Sequence, residues 1–246
     1  MKEEKPVMLS EQNQAHLFAL IAQEVVDTFG EAGVTAISEG VVRYGEQRGK
    51  RMAMRTAADG LERTALNYLA YKEFATRPGE MLSQVSIKNR AVQLLVDKCP
   101  WQSLWKQAGL LEKYGYLYCK DLDVAIARGY NRDIQFAVQK NKGLGDDVCD
   151  MRICDDSGMV EDQAVLEERI KALGLKAKMP WDYHCAHLYK TLRETVAATF
   201  GQAGEEALQR SMTAFITIYG QQAGAMIDRY MDTDFNTLPP YAGING

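Results

Sequence analysis

Over residues 10–29, Leu17, Ile21, Val25 and Phe29 recur every four positions, the spacing of one helix face. Ser10 is placed to cap that helix and Gly30 to stop it. A second helix is predicted over 32–58, with Ile37, Val41 and Tyr44 on one side. A third is predicted over 61–74, before the turn Arg77-Pro78-Gly79. The period then changes. Segments 82–87 and 91–96 are β-compatible and separated by Lys88-Asn89-Arg90, which suggests a hairpin; a helix over 90–97 is the alternative. Pro100 suits the first position of a helix carrying Trp101, Leu104, Trp105 and Ala108. Residues 114–128 read as another helix, closed by Gly129. Ile134, Phe136 and Val138 alternate with polar or small neighbours, as in a half-buried strand. The turn at 143–147 leads to a partner strand over 148–154, with Cys149, Met151 and Ile153 on one face and Asp150 and Arg152 on the other. The last third returns to helical spacing: 161–173 up to Gly174, a linker at 176–180, and long helices over 181–200 and 205–232. The tail, 237–246, holds two prolines and two glycines and is expected to be loosely held.

The elements predict an α+β fold. A small antiparallel sheet with a central hairpin is packed by helices and flanked by two related helical hairpins from the termini. A single domain over 1–246 is expected, with a helical region at 10–75, an α+β core at 80–156 and a second helical region at 160–232. The relation between the ends is visible in the residues. Thr28-Phe29-Gly30-Glu31-Ala32-Gly33 returns as Thr199-Phe200-Gly201-Gln202-Ala203-Gly204. At the same offset, Ala15-His16-Leu17-Phe18 returns as Ala186-His187-Leu188-Tyr189. Tyr44-Gly45 and Gly49 find counterparts in Tyr219-Gly220 and Gly224, shifted further by about one helical turn. The expectation is a pseudo-twofold bracketing one pocket. Gly40, Gly45, Gly49, Gly220 and Gly224 would let helices approach closely, within one chain or between copies of a homo-oligomer.

Composition narrows the classes. Charged residues make up 25% and hydrophobic ones 46% of 246 residues, ordinary for a globular chain rather than a disordered one. Basic residues number 29 against 33 acidic, so a nucleic-acid surface is not expected. The charged amino terminus has no apolar stretch behind it, and no run is long enough to span a bilayer. The five cysteines, at 99, 119, 149, 154 and 185, form no Cys-x-x-Cys pair and suit reduced thiols. A cytoplasmic protein without membrane or nucleic-acid partners is the expectation.

Candidate chemistry collects at three places. Cys119 and Asp123, four apart on a predicted helix, share a face with Tyr116 one turn earlier. A carboxylate raises the pKa of a neighbouring thiol. The pair therefore reads as a nucleophile with its proton acceptor, as two metal ligands, or as a packed thiol beside an exposed aspartate. Asp146, Asp147 and Cys149 sit where a turn enters a strand, at a pocket mouth or simply at a turn. His184 and His187, one turn apart, can touch one metal if Cys119, Cys149 or Asp123 supplies a third ligand. His187 has a repeat mate in His16, which points to a structural task. His184 corresponds to Asn13 and is the better functional candidate.

The residues Cys99-Pro100-Trp101, Trp105, Gly109-Leu110-Leu111, Tyr118-Cys119, Asp123, Gly129-Tyr130-Asn131 and Gly145-Asp146-Asp147, with Cys149 to Ile153, resemble the L-2-amino-thiazoline-4-carboxylic acid hydrolase family, most firmly over about 80–156. The hairpin part is also similar to vinyl reductase-type small-molecule-binding domains. A Cys-x-x-Cys element carried upstream by some relatives is absent here. The resemblance implies a hydrolase acting on C–N bonds of a small cyclic amidine or amide: water adds at the carbon between sulfur and nitrogen, giving an N-carbamoyl amino acid. Such chemistry needs a base, an acid and charge stabilisation. Asp123 is assigned as general base or ligand, Cys119 as nucleophile or ligand, and His184 as acid–base partner. Tyr116, Asn131, Asp147 and Cys149 are assigned to substrate binding. A divalent metal, if one is bound, would take Cys119, Asp123, His184 and His187. The alternative function is a non-catalytic small-molecule-binding or sensing module.

Overall fold

The computed structural model describes residues 8–88, 91–155 and 162–239. Its first element, α1 (Glu11–Ala58), is broken at Gly30, whose φ of 59° and ψ of −135° are open to glycine at little steric cost. The Asn13 side chain accepts the Ser10 backbone N–H at 2.9 Å, closing the start of the helix. The expected stop at Gly30 is thus a kink between two arms, and the second arm ends at Ala58 as the pattern requires. A short helix, α2 (Ala65–Ala70), replaces the predicted 61–74 helix. Beyond it the Glu73 carbonyl leaves the helical ladder. It accepts the Met179 N–H at 2.7 Å and faces His184 Nε2 at 3.1 Å.

Strands β1 (Leu82–Lys88) and β2 (Ala91–Lys98) form a hairpin, excluding the helical alternative for 91–97; its turn, Asn89-Arg90, lies outside the described residues. Helix α3 (Pro100–Gln107) starts with Pro100 in its first turn. The predicted 114–128 helix is three pieces: a π-helical turn at Leu111–Gly115, then α4 (Tyr116–Cys119) and α5 (Leu122–Tyr130). Gly129 therefore lies inside α5 rather than ending a helix. Strands β3 (Gln135–Lys140) and β4 (Cys149–Cys154) pair antiparallel, and the four-stranded order is β1-β2-β4-β3. Register sets Leu94 opposite Met151 and Val96 opposite Cys149, so those side chains share the inner face with Val92 and Ile153. The exposed edge strand β3 contributes chiefly Phe136 to that face.

The chain closes with α6 (Gln163–Leu173), α7 (Trp181–Phe200), α8 (Gln202–Tyr219) and α9 (Gln221–Asp228). The predicted 205–232 helix begins earlier, directly after Gly201, and splits at Gly220, where φ is 88°. The predicted 237–246 tail is described only to residue 239. No helix among the described residues is long and apolar enough to cross a membrane.

Helices from the two ends pack against each other, α1 on α7 and α8. Gly201, with φ 59° and ψ −136°, matches Gly30. The Phe29 and Phe200 rings stack at 3.9 Å between centroids. His16 Nδ1 lies 2.8 Å from the Tyr219 hydroxyl, while His187 packs on the Tyr44 ring at 4.4 Å.

The second arm of α1 meets α5 at backbone distance. A Cβ at Gly49 would overlap the Ile126 carbonyl oxygen and lie 2.5 Å from the Tyr130 nitrogen. One at Gly129 would sit 2.6 Å from the Glu46 Cα. These are backbone atoms of packed helices and cannot swing aside, so Gly49→Ala should cost about 2–3 kcal/mol of stability by overpacking. Urea unfolding checks this; a change within ~0.5 kcal/mol would show that the crossing has slack.

Candidate active site

A cavity of about 110 Å³ lies between the inner face of the sheet and the helices. The sheet supplies Leu94, Val96, Phe136, Cys149 and Met151 as one wall. Opposite stand Arg48 and Met52 from α1, Tyr118 and Cys119 from α4, and Asp123 and Ile126 from α5. The space suits one small ring with its substituents, well below the usual ~300–1,000 Å³ of drug-sized pockets. The lining is mostly apolar with a few convergent polar groups.

Cys119 and Asp123 both line this cavity, from two helices rather than from one face of one helix. The break between α4 and α5 is held by the turn after β3. Asn141 Nδ2 donates to the Cys119 carbonyl at 2.8 Å, satisfying an acceptor that α4 leaves free at its end. The same side chain accepts the Gly143 N–H at 2.9 Å, and the Asn141 N–H donates to Asp146 at 2.7 Å. Gly143 must lack a side chain, because a Cβ there would lie 2.6 Å from Cys119 Sγ. The Lys142 N–H donates to Cys149 Sγ at 3.4 Å. One turn thus positions both thiols.

The electrostatics are those of a partly dehydrated site. Burial pushes the Cys119 thiol well above its ordinary value, and Cys99, Asp123 and Cys149 add to the shift. Burial raises Cys149 too and lifts Cys99 to about 11. All three thiols are therefore protonated at neutral pH. Burial also raises Asp123, against the pull of Lys72 and Arg48. It lowers Lys72, which Asp123 partly offsets. A carboxyl raised and an amine lowered in one cavity have their proton affinities drawn toward each other.

The other expected site residues lie elsewhere. His184 is fully buried behind the cavity and does not line it. Its Nε2 donates to the Glu73 carbonyl, and burial holds its pKa down at about 3, so it does not serve as acid–base partner. His187 Nδ1 accepts from Arg51 at 3.2 Å and its Nε2 donates to Gln47 at 2.8 Å, the structural task its repeat mate suggested. Cys119, Asp123, His184 and His187 do not converge. Among the described residues no group of three His, Cys, Asp or Glu side chains is placed to hold a metal. Asp147 is 80% exposed and pairs with Lys140 at 3.1 Å. Asn131 donates to the Arg63 carbonyl at 2.9 Å. Neither these two nor Tyr116 lines the cavity. None of the lining comes from α7 to α9, so the two helical ends do not bracket it.

Sequence reasoning missed Arg48, Lys72, Asn141 and Cys99 as cavity residues. Arg48, Arg51 and Arg55 recur at three- and four-residue steps on an otherwise apolar helix face, a signal of buried charge that could have been read. In the structure Glu73 answers it. Arg51 Nε and Nη2 donate to its two oxygens at 3.0 and 2.7 Å, and Arg55 Nη1 donates at 2.6 Å.

A family model for L-2-amino-thiazoline-4-carboxylic acid hydrolase matches residues 10–153, more than half of the chain. The chain belongs to that family. The match takes in α1 and the core from residue 80 to 153, so the family region contains every residue that lines the cavity. It ends before α6 to α9. No curated protein and no solved structure matches the chain. The family takes its name from a hydrolase, and the cavity holds a thiol, a carboxyl and an amine within that region.

Proposed function

We propose that the cavity opens a small cyclic amidine or amide ring by hydrolysis, on a substrate like 2-amino-thiazoline-4-carboxylate. The observation that carries this reading is the convergence of Cys119, Asp123 and Lys72 on one cavity of single-ring size. Asp123 is the general base. At rest Cys119 is a thiol, so it attacks only as its proton passes to Asp123. Its sulfur bonds to the carbon between the ring sulfur and ring nitrogen, and the ring nitrogen takes up a proton. Lys72 takes the acid role first given to His184. Collapse breaks one ring bond, and Asp123 passes the proton it took from Cys119 to the leaving atom. Asp123, ionised again, deprotonates the water that displaces Cys119 and returns that proton to the departing sulfur, while the product's amide nitrogen or oxygen gives Lys72 its proton back.

Atom balance separates two products. Expelling the ring sulfur leaves an N-carbamoyl amino acid with a free thiol. Expelling the ring nitrogen of a thiazoline leaves an S-carbamoyl isomer. A hydantoin-type ring yields the N-carbamoyl acid when attack falls on its other carbonyl, the one next to the substituted carbon, whose bond to the ring nitrogen then breaks. The test is to incubate the protein with 2-amino-thiazoline-4-carboxylate and with hydantoin-type rings, following ring opening by mass and released thiol with a disulfide reagent. Ring opening above the buffer rate is expected. Saturable binding with no turnover of any ring would replace this reading with the small-molecule-binding module. Localisation in the cytoplasm and self-association remain part of the same proposal, read by fractionation and sedimentation.

A further inference from the structure

Buried polar atoms without a hydrogen-bond partner point to what a cavity expects from its ligand. Among the described residues these atoms are on Glu11, Ser38, Arg48, Tyr118, Tyr183 and His184. Only Arg48 and Tyr118 of that set line the cavity. Arg48 is 4% exposed and Tyr118 also 4%. The Arg48 guanidinium rests over the Tyr44 and Phe74 rings at 5.4 and 5.5 Å, and its Nε stands 3.8 Å from Glu73, beyond hydrogen-bond reach. The oxygens of Glu73 are already taken by Arg51 and Arg55.

The charge count sharpens this. Arg48, Arg51 and Arg55 share a single buried carboxylate, and the nearby His184 and His187 are neutral. Lys72 and Asp123, on the cavity side, offset each other. Among the described residues three guanidinium groups thus lean on one carboxylate, and burying incompletely paired charge is costly. Arg48 stands farthest from that shared carboxylate, at 3.8 Å, and it is the one of the three that lines the cavity.

We propose that Arg48 and the Tyr118 hydroxyl form the subsite that holds the ligand's carboxylate, at the α1–α4 side of the cavity. This rests on reading the cavity as the ligand site, and it assigns two residues to the group by which the proposed substrate is recognised. A guanidinium offers paired N–H donors that match a carboxylate in plane, and Tyr118 adds an O–H donor.

The experiment compares thermal midpoints of the full chain with 2-amino-thiazoline-4-carboxylate, with 2-aminothiazoline, which lacks the carboxylate, and with no ligand. Arg48→Met and Tyr118→Phe are measured beside wild type. The carboxylate ring should raise the wild-type midpoint and the bare ring should not. Arg48→Met should weaken carboxylate binding at least ~30-fold, as removal of one partner of a buried charge pair does. Tyr118→Phe should weaken it about tenfold. Both variants remove an unsatisfied polar group, so their unligated midpoints should equal or exceed wild type, the mark of a site kept at the expense of stability. Equal shifts from the two rings, no shift from the carboxylate ring, or an undiminished shift in both variants overturns the proposal. Ring opening is scored separately. A carboxylate-dependent shift without turnover removes the hydrolase reading and leaves the subsite standing.

Discussion

Replacing Glu73 by glutamine is expected to lower the unfolding free energy by about 3–5 kcal/mol, the usual cost of breaking a buried ion pair. For a chain of this size that is a fall of about 10 °C in thermal midpoint. Among the described residues Glu73 is the one carboxylate hydrogen-bonded to Arg51 and Arg55, and it is fully buried. Burial alone would raise its pKa, but the two guanidinium groups outweigh burial and hold it at about 2. Its folded-state pKa is therefore depressed below the ordinary 4.5. The stability it contributes is present above pH 4.5 and is lost as pH falls toward 2, roughly 3 kcal/mol in all. His184 acts in the same direction at higher pH. It stays neutral down to about 3, while an unfolded histidine takes up a proton near 6.5, so stability declines across that window too. Acid unfolding should begin below pH 6.5 and steepen below 4.5. In Glu73→Gln the steep part should vanish. Urea midpoints measured from pH 3 to 7 check both points, and a variant as stable as wild type at pH 7 would show that the arginines find their balance elsewhere.

Asp123→Asn should reduce ring opening by about 10²–10⁴-fold, the usual contribution of a general base. The protein should meanwhile become no less stable. Its carboxyl is raised by burial, so above that raised pKa the ionised form is held at a disadvantage relative to the unfolded chain, and an amide removes the disadvantage. The rate should fall as pH drops through the pKa of this base, which lies above the ordinary aspartate value, since only the ionised form accepts a proton. Cys119→Ser then divides two routes. If sulfur attacks the ring carbon, serine abolishes turnover; if Asp123 activates water directly, serine retains it. Rapid-quench mass spectrometry would show the sulfur-bound intermediate in the first case. Full activity in Asp123→Asn would remove the base from the scheme.

The cavity was partly legible because two of its thiols and its carboxyl lie in short, local motifs. Cys119 and Asp123 announced themselves by spacing and Cys149 by strand alternation, and the structure brings all three to one cavity. Helical spacing accounts for the first pair only in part: the helix breaks between them, and the distant Asn141 turn holds Cys119. Spacing carries no information about such a long-range hydrogen bond. His184 misled for a related reason. A histidine beside another on a helix reads as a ligand pair, whereas its burial against the Glu73 carbonyl depends on a segment more than a hundred positions away. Local punctuation fared best. Gly30, Gly174 and Gly201 each end or kink a helix with positive φ, as their places in the pattern implied. The inner face of β4 could be read from alternation at Cys149, Met151 and Ile153, because a half-buried sheet enforces a period of two. Gly129 failed as a stop because its missing side chain serves the contact with Glu46 instead.

The protonated state of the cavity thiols bears on how the protein meets reactive compounds in its surroundings. Peroxides and alkylating agents react with thiolate, not thiol, and Cys99, Cys119 and Cys149 are all shifted away from thiolate. Most electrophiles that drift into the cavity will leave unchanged, so the protein should withstand air and haloacetamides that would inactivate an enzyme with a resting thiolate. A ligand that draws the Cys119 proton onto Asp123 is a different visitor. Reactivity of this kind is conferred by the guest, and a covalent inhibitor for this cavity would have to resemble the ring it normally receives.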